Sequence, residues 1–143
     1  MKSTVILVAA TVAVMLPVLA ADDGDRNKLA GSWQESAAEP GKTWTLVETG
    51  DLMRITETVK GEKLVEFQCN TIGKECSAKH GKVSMWFNGP KLVVMETRGS
   101  DVVKRRFEAS ADGGALEMEV IPIAPSGKTE KVALKRVTST NAQ

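Results

Sequence analysis

The sequence predicts an all-β protein: an antiparallel meander of eight to nine strands that closes into a small barrel. Three observations support this fold class. Apolar and polar residues alternate in short runs, turn segments such as Glu39-Pro40-Gly41 and Asp112-Gly113-Gly114 separate the runs, and no window has the periodicity of a long amphipathic helix. The connections are short, which favours sequential antiparallel neighbours, because a parallel crossover needs about a dozen residues or more.

Nine runs carry the strand pattern, and they cover residues 31–35, 43–47, 52–59, 63–69, 82–87, 92–97, 102–109, 115–121 and 128–137. Side chains alternate between the two faces of a strand, so Leu116, Met118 and Val120 share one face while Glu117 and Glu119 share the other. Each run therefore has one apolar face. A sheet of this width buries that face by curling into a barrel or a flattened barrel.

Residues 1–20 have the pattern of a secretory signal peptide. Lys2 provides a positive start, an apolar run extends from Val5 to Val18, and the run ends at Ala20 before a polar segment. The run is shorter than the roughly 20 apolar residues of a membrane span, and no cysteine follows it for a lipid anchor. We therefore expect cleavage after Ala20, with Ala21 as the alternative, and no stable membrane anchor.

The remaining chain is long enough for one domain with its own core. We assign residues 21–137 to that domain and residues 138–143 to a disordered polar tail. Loss of Lys2 leaves 18 basic and 18 acidic residues. This balance argues against a nucleic-acid partner, since such proteins carry a positive excess or a basic face.

Cys69 and Cys76 are predicted to form a disulfide, because an even pair this close in an exported chain is typical of a structural bridge. A zinc site is not expected, since His80 is the only histidine and there is no third cysteine. The spacing also differs from the Cys-x-x-Cys of redox sites. We expect a hairpin that turns at Ile72-Gly73 and sets the two cysteines opposite each other.

No residue pattern indicates an enzyme. The chain has one histidine and no tyrosine, and it lacks a P-loop, a dinucleotide fingerprint and a Gly-x-Ser-x-Gly turn. His80 lies in a polar loop and is expected to be solvated. We therefore expect no catalytic residue, no metal ion and no cofactor.

Arg105 occupies the most informative polar position. It lies between Val103 and Phe107 on the apolar side of its run, and an inward guanidinium there needs a partner. Glu57 has the parity of an inward residue and is the expected partner, and Trp44 has the parity of core or cavity wall. Arg105 is then part of an internal ion pair, an arginine at the barrel mouth that reaches water, or an anion clamp for an apolar ligand with a carboxylate.

The segment Leu29-Ala30-Gly31-Ser32-Trp33 resembles the first motif of the lipocalins, a Gly-x-Trp that opens the first strand. The last run resembles the closing strand of that family, in which an arginine packs across the tryptophan. This resemblance implies a structural contact between Arg136 and Trp33. A cation–π contact of this kind contributes about 0.5–2 kcal/mol.

The whole stretch from Trp33 to Val137 more closely resembles short bacterial exported lipocalin-like domains of unassigned function. The similarity lies in Gly73-Lys74-Glu75-Cys76 and in Arg105-Arg106 followed by Asp112-Gly113. It implies a small lipocalin-like barrel in a periplasmic or secreted bacterial protein. The chain is shorter than ordinary lipocalins and lacks a clear middle motif.

Two functions remain open at this point. The first is a carrier or sensor that binds a small apolar or amphipathic ligand in the barrel, with Arg105, Glu57 and Trp44 at the site. The second is a solid-core structural or protein-interaction module with no small-molecule ligand. An enclosed pocket of a few hundred Å³ would favour the carrier, and a packed interior would favour the module.

Overall fold

The computed structural model describes residues 26–36 and 41–137; the expected signal peptide and tail lie outside this part of the chain. The described residues form ten strands in one antiparallel sheet, and these are β1 (Gly31–Glu35), β2 (Lys42–Thr49), β3 (Leu52–Val59), β4 (Glu62–Asn70), β5 (Ile72–Ala78), β6 (Gly81–Asn88), β7 (Lys91–Arg98), β8 (Asp101–Ala109), β9 (Ala115–Ala124) and β10 (Glu130–Arg136). The antiparallel all-β prediction is confirmed.

Consecutive strands pair with each other throughout the described sheet, except that β4 does not pair with β5. The order across the sheet is β4-β3-β2-β1-β10-β9-β8-β7-β6-β5, so β4 and β5 form its two edges. Pairing of β1 with both β2 and β10 joins the two halves of the sheet, with Trp33 opposite Trp44 on one side and Arg136 on the other. The sheet thus curls into a nearly closed barrel, and we call the gap between β4 and β5 the seam.

The prediction of eight to nine strands is wrong, because the described residues form ten. The additional strand is β5, whose residues we expected to be one arm of a cysteine hairpin. Its first four residues are all exposed. It therefore lacks the apolar–polar alternation that marks the other strands. β5 is an edge strand, and such a strand has a neighbour on one side only.

The core lies inside the barrel and is built from the inward positions of nearly every strand. Trp33 and Phe107 are its largest fully buried side chains. The buried core residues, each at most 3% exposed, are Leu29, Trp33, Trp44, Leu46, Met53, Ile55, Phe67, Cys69, Val83, Met85, Leu92, Val94, Phe107, Leu116, Met118 and Leu134.

One end of the barrel, which we call the closed end, is covered by the turn that precedes β1. Leu29 is fully buried there, and its carbonyl accepts a 2.9 Å hydrogen bond from Trp33 Nε1. The Arg136 guanidinium lies 4.2 Å from the centre of the Trp33 ring. It donates to the backbone carbonyls of Gly113, Ala30 and Lys28 at 2.8, 2.9 and 2.7 Å.

This arrangement explains the glycine of the Gly-x-Trp motif. Gly31 has φ = +132°, and a Cβ placed there would lie 2.5 Å from Arg136 Nη1. A side chain at this position would therefore push the guanidinium away from the carbonyls that it binds. Glycine is required because the arginine approaches the backbone closely.

Candidate ligand-binding site

Arg105 points into the barrel from β8. Its strand neighbours Val103 and Phe107 share this face, and its cross-strand partners are Val94 on β7 and Val120 on β9. The side chain is only 16% exposed. Its Nη1 is fully buried and has no hydrogen-bond partner among the described residues. A charged donor thus faces a predominantly apolar interior.

The expected pairing of Arg105 with Glu57 is not the one that the structure forms. Arg105 Nη1 lies 3.7 Å from Glu96 Oε1, whereas Glu57 Oε1 lies 3.4 Å from Lys42 Nζ. Glu57 is on β3, and β8 pairs with β7 and β9, so the carboxylate nearest to Arg105 comes from β7. Parity shows that both glutamates face inward, but it does not show which of them is the neighbour.

Glu96 is the residue that sequence reasoning missed. It is 7% exposed on the inner face of β7, where it follows Leu92 and Val94 at every second position. That spacing could have identified it. Its Oε1 lies 3.4 Å from Arg98 Nε as well as 3.7 Å from Arg105 Nη1, so one carboxylate serves two guanidinium groups. The immediate surroundings of Glu96 therefore keep an excess of positive charge.

Burial lowers the pKa of Arg105, while the charges of Glu96 and then Glu57 act in the opposite direction. An arginine keeps its proton in proteins, so the guanidinium remains a cation. The 3.7 Å separation from Glu96 is too long for a hydrogen bond. The attraction is therefore electrostatic, and the buried Nη1 donor is still available to an acceptor.

One aromatic ring lies beside this cation, and two more pack together in the core. The guanidinium carbon of Arg105 lies 5.5 Å from the centre of the Phe67 ring. Trp44 packs against Phe107 with ring centres 6.0 Å apart, and its Nε1 donates to Glu35 Oε1 at 3.3 Å. Trp44 is therefore core wall, with its polar edge directed at a carboxylate. Arg105, Glu96 and Arg98 thus form a charged layer beside an apolar core. An amphipathic molecule matches this arrangement.

The space next to this layer is small. A recess of about 60 Å³ is lined by Phe67, Glu96 and Arg98 together with residues of β4 and of the β5–β6 turn. Hollows of about 370, 480 and 640 Å³ lie at the surface. A water occupies about 30 Å³ in the liquid, and drug-sized ligands occupy pockets of about 300–1,000 Å³. The recess therefore accommodates a headgroup, but not an acyl chain.

The disulfide prediction is confirmed: Cys69 and Cys76 are bonded, with their Cα atoms 5.7 Å apart. Its setting differs from the expected hairpin, because β4 and β5 share no backbone ladder. Gly73 has φ = +80°, and the pairing of β5 with β6 is irregular between Ile72 and Glu75. The bridge therefore spans the seam between the two edge strands.

The described residues contain no group of three or more His, Cys, Asp and Glu side chains placed to hold a metal ion. His80 is exposed at the β5–β6 turn. Within residues 26–36 and 41–137, no helix has the length and apolar character needed to cross a membrane.

Neither family models nor curated proteins match this sequence. Solved structures do match the fold. A Schistosoma mansoni fatty acid binding protein in complex with arachidonic acid superimposes with a TM-score of 0.64 at 15% identity, over 80% of this chain and 100% of that chain. These barrels share one fold. A secretory abundant heat soluble protein from Ramazzottius varieornatus has a TM-score of 0.60 at 13% identity, over 77% and 96%.

A third structure, apo lipid binding protein 8 from Caenorhabditis elegans, has a TM-score of 0.62 at 8% identity and covers 78% of this chain and 96% of that one. The lipocalin-like barrel that the sequence predicted is therefore confirmed as a fold. At these identities the likeness is one of architecture.

Proposed function

We propose that this protein binds a single-chain amphiphile with a carboxylate head, and that Arg105 anchors the carboxylate. The observation that carries the proposal is the buried Nη1 of Arg105, which faces the barrel interior without a hydrogen-bond partner. A buried donor left without an acceptor costs about 1–3 kcal/mol. A ligand carboxylate would remove that cost through a short charge-assisted hydrogen bond.

The fold neighbours support the class of ligand. One of them was solved with arachidonic acid, and another is a fatty acid transporter, REP1-NXSQ, with a TM-score of 0.61. Barrels of this architecture thus include proteins that bind or transport fatty acids. An exported location, which we also propose, agrees with the Cys69–Cys76 disulfide, because such bridges persist in oxidising compartments.

The packed interior limits the length of the chain. The acyl chain must displace core side chains, since the recess beside Glu96 is only about 60 Å³. Met53, Met85 and Met118 are all at most 2% exposed in the core. Methionine adapts its shape more easily than branched side chains do. We therefore propose a short acyl chain, since each methylene has to displace these flexible core side chains.

Titration with decanoate and with decanol tests the role of Arg105. We expect wild-type protein to bind decanoate at least about tenfold more tightly than decanol, because only the carboxylate pairs with the guanidinium. In Arg105→Met, the affinity for decanoate should fall to that for decanol. Calorimetry measures both affinities, and Arg54→Met, on an exposed arginine of β3, is the matched control.

A different result would assign Arg105 to a structural ion pair with Glu96. That result is equal binding of decanoate and decanol to wild-type protein, together with unfolding of Arg105→Met in circular dichroism. Arg105→Lys separates the cases further, because it retains the charge but loses the planar donor pair.

A solid-core module is the second candidate, and the packing favours it. All sixteen buried core residues are at most 3% exposed. If wild-type protein binds neither decanoate nor decanol at millimolar concentration, the interior is a structural core, and the function lies on the outer surface.

A further inference from the structure

The seam contains an opening in the barrel wall above the disulfide. We call it the wall slot: it lies between residues 64–67 of β4 and residues 78–82 at the β5–β6 turn. β4 and β5 share no ladder of hydrogen bonds. The recess of about 60 Å³ on the inner side and the groove of about 370 Å³ on the outer side share five lining residues, namely Leu64, Val65, Glu66, Ala78 and Lys79.

The wall slot leads to the charged layer. Its inner recess is lined by Phe67 and Glu96. These are the ring 5.5 Å from the Arg105 guanidinium carbon and the carboxylate 3.7 Å from Arg105 Nη1. A molecule that passed between β4 and the β5–β6 turn would therefore arrive directly at the proposed anchor.

The rim of the wall slot matches an anionic amphiphile. Leu64 is 53% exposed, and Val65 and Ala78 are half-buried, so the rim offers apolar surface to an acyl chain. Three cationic residues line the inner recess: Lys79 and Lys82 on the turn side and Arg98 on the adjoining strand. Glu66 and Glu96 are the carboxylates that line the same recess. The cations therefore outnumber the anions, and such a field attracts a carboxylate.

The disulfide closes the lower limit of the wall slot. Cys69 is near the end of β4, and Cys76 lies two residues before Ala78 on β5. The bridge holds their Cα atoms 5.7 Å apart. Below it the two strands meet at Thr71, whose amide donates to the Asp51 carbonyl at 2.9 Å. The bridge and the chain itself therefore join the two edges at and below Cys69–Cys76, and no ladder joins them above it.

We propose that the wall slot is the access port through which the amphiphile reaches Arg105, and that the Cys69–Cys76 bridge limits how far the slot opens. This inference rests on the proposed function. The other route runs through the end of the barrel opposite the closed end, where Lys42 pairs with Glu57. A port differs from an anchor because it governs how fast the ligand moves rather than how tightly it binds.

Ala78→Trp tests the port, because it adds bulk to a half-buried position on the rim without changing Arg105. We expect the association and dissociation rates of a fluorescent decanoate analogue, followed by stopped flow, both to fall about tenfold, with the dissociation constant unchanged within about threefold. Ala111→Trp, which adds the same bulk in the exposed β8–β9 turn at the closed end, should leave both rates at the wild-type value.

The double substitution Cys69→Ala with Cys76→Ala tests the limit that the bridge imposes. Both rates should rise by about threefold or more, because the edge strands can then separate further. Circular dichroism and the tryptophan emission maximum establish that this variant is folded. Should it fail to fold, wild-type protein reduced with dithiothreitol takes its place, and unchanged rates after reduction would overturn the limit.

The outcomes separate the port from the anchor. Wild-type rates in Ala78→Trp, with Arg105-dependent binding of decanoate intact, would overturn the port, leave the proposed function standing and assign access to the open barrel end. A wild-type protein that binds no decanoate would overturn the proposed function and the port together. A change in the dissociation constant of Ala78→Trp larger than tenfold would make Ala78 part of the binding site and also overturn the port.

Discussion

Two arginines in this barrel face inward, and their surroundings give them different roles. Arg136 has three backbone carbonyls at 2.7–2.9 Å and a tryptophan ring beneath it, so its donors are satisfied. Arg105 has one carboxylate at 3.7 Å and a buried Nη1 without a hydrogen bond. The first arginine stabilises the fold by itself, whereas the second gains from an added acceptor. We therefore propose a structural role for Arg136 and a binding role for Arg105.

Replacement of Arg136 by lysine should destabilise the protein by about 3 kcal/mol, because a single ammonium cannot reach three carbonyls that a planar guanidinium binds together. Urea unfolding measures the change. The control is Arg54→Lys, on an exposed side chain 3.7 Å from Glu66, and it should change the free energy of unfolding by less than about 0.5 kcal/mol. Equal losses in the two variants would show that Arg136 does not hold the closed end.

At the scale of elements, the β8–β9 turn at the closed end is held in shape by its own polar side chains. The β8–β9 turn is organised by Asp112, whose Oδ1 accepts from Ser110 Oγ at 2.6 Å and from the Gly114 amide at 2.9 Å. Ser110 Oγ in turn accepts from the Ala115 amide at 3.0 Å. These bonds set the start of β9, which carries Leu116 and Met118 into the core. A short polar segment thus positions apolar residues.

The β8–β9 turn should weaken in acid. The hydrogen bond from Ser110, followed by that from Gly114, lowers the pKa of Asp112 below its ordinary value. A carboxyl group whose folded pKa is depressed stabilises the fold above its unfolded pKa, and this contribution disappears as the pH falls through the folded pKa. Asp112→Asn should therefore lower Tm at neutral pH, and the difference from wild type should shrink below about pH 4.

Thermal unfolding of both proteins between pH 7 and pH 2 checks this prediction. A difference in Tm that stays constant over the whole range would contradict it. Ser110→Ala, which removes the partner with the largest effect on the pKa, should show the same trend with a smaller amplitude.

The cysteine pair shows why elements must be assigned in three dimensions. Both the pairing and the turn near Gly73 follow from a short sequence segment. The hairpin that we expected around them does not form, because β5 pairs with β6 while β4 pairs with β3. The same disulfide therefore bridges an open seam. In a hairpin it would add to a ladder of hydrogen bonds, whereas here it links two strands that share no ladder.

On the scale of the whole molecule, the barrel is continuous everywhere except at the seam. Nine ladders join the ten described strands in one sheet, and β4 and β5 are the strands left with a single partner. A strand with one partner has half of its backbone groups without a ladder. The weakest part of the wall is therefore known from the topology, and it coincides with the proposed port.

Hydrogen exchange should reflect this asymmetry. We expect the lowest protection in residues 62–68 and 72–78, and the highest in β1, β8 and β9, which are paired on both sides. Exchange followed by mass spectrometry after limited deuteration measures the ranking. Equal protection of β4, β5 and β9 would mean that the seam is closed in solution, and it would weaken the case for the wall slot.

The sequence by itself determined the properties that depend on local periodicity. Alternation with a period of two predicted the antiparallel strands and placed Arg105 and Glu57 on the apolar faces of their strands. The close cysteine spacing predicted the disulfide, and Gly31 and Trp33 marked the opening strand. These features needed no knowledge of distant neighbours, since side-chain direction within a strand follows from its own backbone.

Only the tertiary structure decided which inward residues meet. It replaced Glu57 by Glu96 as the partner of Arg105, added β5 as a tenth strand and placed the cysteines across a seam. The tertiary structure also showed that side chains pack the barrel interior and leave a recess of about 60 Å³ beside the charged layer. The physical reason is that register, strand order and packing depend on how the sheet closes, and closure joins residues that are far apart in the chain.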